Sequence, residues 1–291
     1  MEKHIKALGV LYITLGLSAS SAIAYTHEEV FQKTVPAADI SKLSVRNLNG
    51  NISVQPWDRP EIQIEAKKRV NHSSQEKAEE YARKIEIAVE TKEGTVEVRT
   101  VLPGQKDDWD WVEGLFSLDW LFEGHLRGTA VSYAISAPRR MDTELMSTNG
   151  GVQIGAMEGR ADLRTTNGIL KAEGAKGELK GRTTNGAISL SGLAGGCDAS
   201  TTNGKITVEF LSLGGQGCEL RTTNGGIRVT LPENVRADLE AATTNGTITS
   251  ELPLSLQGEI SKRRMEGKIN GGGPPLRLRT TNGSISIVKA E

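Results

Sequence analysis

Through residues 141–291, apolar and polar positions alternate with a period of two, in short runs that restart every 18 to 21 residues. The runs are phased on a recurring Ser/Thr-Thr-Asn-Gly. Its Asn falls at Asn149, Asn167, Asn185, Asn203, Asn224, Asn245 and Asn282. Six residues before these stand Thr143, Ala161, Leu179, Cys197, Cys218, Leu239 and Leu276; four before stand Leu145, Leu163, Gly181, Ala199, Leu220, Ala241 and Leu278. Three after stand Val152, Leu170, Ile188, Ile206, Ile227, Ile248 and Ile285. Each flank therefore predicts a half-buried strand, and no apolar set recurs at helical spacing. A repeat of this length predicts a stacked, quasi-one-dimensional array.

Asn-Gly between strands admits two architectures. In a hairpin meander it is a two-residue loop with positive φ, which Gly and Asn tolerate best. In a β-solenoid it is a corner, and near-identical corners are what stacking demands. The repetition favours an all-β solenoid of 18–21-residue repeats with these seven Asn as structural corners. A second, glycine-rich bend, as in Gly174-Ala175-Lys176-Gly177, completes each period.

The outward positions form two stripes if the repeats stack in register. Five before each Asn, the residues are mostly acidic (Glu144, Asp162, Asp198, Glu219, Glu240); three before, they are rich in arginine (Arg164, Arg182, Arg221, Arg279). Such stripes fit a solvated face of weak ion pairs, or an arginine track for a polyanionic glycan or lipid.

The first half is less regular. Leu43–Val54 obeys the repeat grammar around Asn49-Gly50. Glu61–Ala66, Ile87–Val89, Thr95–Val101 and Ala130–Ala137 predict strands. Ser73 or Ser74 caps a lateral helix over about 74–85. An insertion at 105–127 carries Trp109, Trp111, Phe116, Trp120 and Phe122, either an interaction element or an apolar end cap.

These features resemble the bacterial putative-adhesin domain family. They are Leu43-Ser44-Val45-Arg46-Asn47-Leu48-Asn49-Gly50-Asn51-Ile52-Ser53-Val54, Trp57-Asp58, the Asn-Gly-x-Ile/Val repeats, and Gly267–Leu276 before the last repeat. The resemblance runs from about Ile40 to Val288 and implies a glycine-rich β-solenoid of the envelope. It brings no catalytic residue with it.

The N-terminus reads as a secretion signal: Lys3 and Lys6, an apolar run Ala7–Leu17, and Ala22-Ile23-Ala24 before a mature start at Tyr25. The expected organisation is a signal peptide over 1–24, a linker over 25–39, an irregular part over 40–140 and regular repeats over 141–291. No segment apolar enough to span a bilayer is left after cleavage. The destination is the periplasm or cell surface. Cys197 and Cys218 occupy equivalent positions in adjacent repeats, so a disulfide and a pair of buried thiols both remain open.

Net charge is −1, which does not suit nucleic acid. No metal or cofactor motif is present. Threonine arrays for ice binding need two outward Thr per rung, and adjacent Thr point to opposite faces. A carbohydrate-active β-helix enzyme is the alternative function, but it needs paired carboxylates that stand out from the repeat. The reading is a secreted, non-catalytic scaffold or adhesion module. Its partner would be an envelope protein, glycan or lipid surface.

Overall fold

The structure is a computed structural model that describes residues 13–16, 25–102, 128–256 and 261–290. The aromatic insertion, with Trp109, Trp111, Phe116, Trp120 and Phe122, lies outside the described residues. So does most of the expected signal peptide.

The described chain is all-β with one helix. The strands on either side of an Asn-Gly corner do not pair with each other. Each pairs in parallel with its equivalent in the next repeat, which removes the hairpin meander. Asp142–Asn149 pairs with Ala161–Asn167, joining Glu144 to Asp162 and Asn149 to Asn167. Ala161–Asn167 pairs in turn with Lys176–Asn185 at the same 18-residue offset. These strands, each ending at its Asn, make a leading ladder. The strands after the corner make a trailing ladder, with Val152 beside Leu170, Leu170 beside Ile188, and Ile188 beside Ile206. The result is a solenoid-like stack.

The first rung is Lys42–Asn49 with Ile52–Trp57. It stacks on residues 100 positions later, Asn49 beside Asn149 and Ile52 beside Val152. The chain between them forms the near end. Thr95–Val101 adds to the leading ladder and Thr129–Pro138 to the trailing one. Glu61–His72 then pairs antiparallel with Thr129–Pro138. Tyr25–Pro36, expected as a linker, is instead a 12-residue strand paired along its whole length with Glu61–His72. The correction has a simple cause. Its alternation is weak, so its role is fixed by the neighbour that it finishes rather than by its own pattern. Backbone pairing also joins Ile13–Gly16 to this strand.

The helix Gln75–Lys84 is capped by Ser74, whose side chain accepts from the Lys77 amide. Glu76 sits in its first turn and Arg83 and Lys84 in its last, each matching the helix dipole. Its Ala78 and Ala82 are buried against the near-end strands.

The core is a thin column between the two ladders. Leu145, Leu163, Ala199, Leu220 and Leu278 face Ile154, Ala172, Leu190, Val208 and Ile287, all at most 2% exposed. Each large aliphatic side chain buried this way contributes roughly 1.5–3 kcal/mol.

The far end departs from chain order. The Asn224 strand pairs with Pro275–Asn282, and that strand pairs on its other edge with Ala237–Asn245. The C-terminal repeat is thus inserted between the two that precede it. The trailing ladder repeats this order: Ile227, Ile285, Ile248. Arg264–Ile269 extends the leading ladder in antiparallel pairing with Ala237–Ala242, and Leu254–Leu256 pairs antiparallel with it in turn.

Candidate interaction site

Three surfaces run along the stack: the corner and the two outward faces. At the corner, all eight Asn are joined by side-chain hydrogen bonds. Asn149 Nδ2 donates to Asn49 Oδ1, Asn167 to Asn149, Asn185 to Asn167, Asn203 to Asn185 and Asn224 to Asn203, at 2.8–2.9 Å. Asn282 donates to Asn224 and Asn245 to Asn282, each at 2.8 Å. The direction never reverses, so the amide dipoles add head to tail.

The two Thr of each corner split as period-two geometry requires. Thr166, Thr184, Thr202 and Thr223 are exposed. The preceding Thr turns inward and donates to the Gly carbonyl of the neighbouring rung. Examples are Thr165 to Gly150, Thr183 to Gly168, Thr201 to Gly186, Thr222 to Gly204, Thr280 to Gly225 and Thr243 to Gly283, at 2.8–3.1 Å.

The reason for Gly at the corner differs from the expected one. No corner Asn has positive φ, and among the eight corner glycines only Gly50, at φ 116°, and Gly225, at φ 159° and close to extended, have positive φ. What forbids a side chain is space: a Cβ on Gly186 would sit 1.8 Å from the Gly168 carbonyl oxygen. Positive φ belongs to the second bend, where Gly177 has φ 117° and stacks on Gly159.

On the leading face, the predicted acidic and arginine stripes lie side by side and neutralise one another. Glu144 meets Lys42 and Arg46; Asp162 meets Arg164 at 2.6 Å; Asp198 meets Arg182 at 3.3 Å. Glu219 meets Arg221, Glu240 meets Arg277 and Arg279, and Glu266 meets Arg264. The hydrogen-bonded carboxylates Asp162 and Glu266 raise the pKa of Arg164 and Arg264. Around the next bend, Lys176 and Arg140 clasp Glu158 and hold its carboxyl below the ordinary value of 4.5.

The trailing face carries Ser53, Gln153, Lys171, Ser189, Thr207, Arg228, Ser286 and Thr249 as one outward column. It is flat, small-sided and neutral to basic. Ile169 and Leu211 are its isolated exposed apolar side chains.

Cys197 and Cys218 stand in register on the core side of the leading ladder and are joined as a disulfide. A polar knot replaces the Thr bond at the first rung. Asn47 Nδ2 donates to the Val131 carbonyl at 2.7 Å, and Thr100 Oγ1 donates to Asn47 Oδ1 at 3.0 Å. The Tyr133 hydroxyl lies 2.6 Å from Thr100 Oγ1, and burial raises its pKa well above the ordinary phenol value.

Among the described residues, no group of three or more His, Cys, Asp and Glu is placed to hold a metal ion. His27 and His72 lie at the near end, away from the repeats. No helix of the described residues is long and apolar enough to cross a membrane.

The model of one family, Toastrack DUF4097, matches residues 33–288. No curated protein matches the chain. Three solved structures are similar over most of its length. One is a putative cell adhesion protein from Clostridium sporogenes, 15% identical, covering 91% of this chain and 100% of its own, with a TM-score of 0.32. Another is a putative adhesin from Parabacteroides merdae, 12% identical, covering 90% and 96%, with a TM-score of 0.39. The third is a putative adhesin from Bacteroides fragilis, 12% identical, covering 90% and 97%, with a TM-score of 0.35.

Proposed function

The chain belongs to the Toastrack DUF4097 family, and from that premise we propose that it is a secreted, non-catalytic β-solenoid serving as an envelope scaffold or adhesion module. Its rungs are the 18–21-residue repeats, and its partner is an envelope protein, glycan or lipid surface. A signal peptide over 1–24 delivers it to the periplasm or cell surface. The irregular 40–140 part and the regular 141–291 part form the body.

One observation carries the non-catalytic reading. Glu144, Asp162, Asp198, Glu219, Glu240 and Glu266 each sit within 4 Å of a cationic partner along the leading face. Glycoside chemistry needs two carboxyl groups with different environments, one protonated and one ionised. A row of acids each paired with a cation supplies no such pair, and Glu97, whose Oε2 is buried without a hydrogen-bond partner at the near end, stands outside that row. What it supplies is a stiff, charge-balanced column that displays whatever sits at its ends.

The test is capture from envelope fractions by the intact chain and by a version lacking 107–122, both checked for β-structure. A component caught by the intact chain and lost on deletion places recognition in the aromatic insertion. The same component caught by both places it on the ladder faces. No component caught by either folded protein overturns the interaction reading in favour of a passive structural role.

A further inference from the structure

The insertion of the C-terminal repeat between two earlier ones sets up a strand that a second copy can supply. The walls of the slot are the Asn224 and Asn245 rungs. The strand pairing that seats residues 275–289 comes from those walls, and Glu233 and Glu251 beside them hold Lys289. Both edges are parallel ladders. Asn282 joins the amide chain on both sides, Thr280 donates to Gly225 and Thr243 to Gly283. These are the bonds of the shared repeat, so they do not distinguish a chain's own rung from another copy's.

The connection into the slot is a tight turn in an uncommon conformation. Arg264–Ile269 runs along the outer edge of Ala237–Ala242, and Pro275–Asn282 runs along its inner edge. The chain crosses from one to the other at Asn270, Gly271 and Gly272, with φ of 49°, 85° and 88°. Glycine adopts this conformation freely, so of the three only Asn270 carries a steric cost that the turn must hold. The holding contacts are local: Asn270 Nδ2 donates to the Glu233 and Val235 carbonyls, Arg236 Nε to the Gly272 carbonyl, the Gly272 amide to the Ile269 carbonyl, the Gly273 amide to Asp238 Oδ1, and the Asp238 amide to the Pro274 carbonyl. Gly273-Pro274-Pro275 follows, with a bend at Pro274 and two prolines that fix φ at the entry to the rung.

We propose that residues 275–290 form an exchangeable rung, and that a second copy of this chain accepts it in the same slot while returning its own. Opening the turn to an extended conformation relieves the left-handed Asn270 and projects the rung outward. Reciprocal exchange refills both slots with identical pairings and closes on itself as a two-fold dimer. The swapped and unswapped forms then differ in the turn and in association entropy. The balance is therefore set by protein concentration and by the turn.

Arg228 and Ser286 are register partners on the outward trailing face, one on the wall and one on the rung. Two full-length chains, R228C and S286C, carry different tags and are refolded together at low and high concentration with the native disulfide intact, then mildly oxidised. Exchange gives a disulfide-linked species of twice the monomer mass carrying both tags, and its yield rises with concentration. The R228C/S286C double variant, refolded dilute, closes the bond within one chain.

A linked two-tag species that is absent, while the double variant closes internally, overturns exchange. A double variant that folds but fails to close the bond overturns the register on which the slot rests. Gly271→Ala tests the hinge, because a Cβ there meets nothing nearer than the Arg236 guanidinium at 3.7 Å and acts through φ alone. It should raise the dimer fraction about tenfold; an unchanged fraction removes the turn as the hinge.

Discussion

At the level of single residues, the corner is governed by contact distance, and this separates glycines that the sequence makes look alike. Gly186→Ala places a Cβ 1.8 Å from a backbone oxygen of the neighbouring rung, so two rungs must part. The expected cost is about 3 kcal/mol in urea denaturation. Gly181→Ala points into the core, where its Cβ meets Leu170, Leu179 and Ala199 at 3.6–3.9 Å, ordinary packing distances. There the added methyl and the stiffer unfolded chain should stabilise by about 1 kcal/mol. Equal effects of the two substitutions would refute the stacking account. Thr143 offers a third case. It occupies a core position that other repeats fill with Leu, Ala or Cys, and its Oγ1 is buried without a hydrogen-bond partner. Thr143→Val should stabilise by about 1 kcal/mol on the same assay, since the shape is kept and the orphaned hydroxyl removed. The need for Gly at the corner was legible in the sequence, but its cause was not. A fixed Gly reports equally a positive φ and a carbonyl overhead.

At the level of elements, the in-register strands were readable because alternation and Asn spacing carry the same phase. A helix cap at Ser73 or Ser74 was readable for the same kind of reason, since the capping residue and the acidic first turn agree, and the structure selects Ser74. Tyr25–Pro36 was not readable, since its partner lies at Glu61–His72 and its own pattern is poor. The cysteine pair was left open by sequence, because a core thiol and a bridge demand the same position. The structure joins them across a sequence separation of 21. Closing a loop of that size stabilises by about 3 kcal/mol through the unfolded state. Reduction of the native protein should lower the urea midpoint accordingly. The Cys197→Ala/Cys218→Ala protein should start lower and ignore the reductant. A native protein equally stable with and without reductant would show that the bridge contributes nothing.

At the level of the whole molecule, order in the stack is not order in the chain, and here the repeat grammar is silent. The six rungs from Asn167 onward present the same Thr-Thr-Asn-Gly, so any of them fits beside any other. Only the 37-residue gap before Asn282 and the glycine turn at 271–273 hint that the last repeat returns between its predecessors. The near end breaks the grammar instead, and so its chemistry differs from that of the rest of the column. In place of a Thr bonded to a Gly carbonyl it has the buried set Asn47, Thr100 and Tyr133. This gives the molecule a predicted response to alkali. Tyr133 is 2% exposed and burial raises its pKa above the ordinary 10.0, so the folded protein keeps the phenol neutral where the unfolded chain ionises it. Its contribution is fully present below pH 10 and is lost as pH rises toward the folded value, by about 1.4 kcal/mol per pH unit. The carboxyls of Glu90 and Glu158 act in the opposite direction. Lys92 and Lys176, respectively, are the main groups holding each below 4.5, so their support is complete above that pH and fades as acid titrates them. Both are close to solvent and contribute little. The alkaline limb should therefore be controlled chiefly by Tyr133, with a smaller part from the half-buried Tyr81, whose pKa burial also raises. Tyr133→Phe should flatten urea stability between pH 10 and 11.5, while Thr100 keeps its bond to Asn47. An alkaline limb of unchanged slope in that variant would show that the near end does not govern the alkaline stability of the stack.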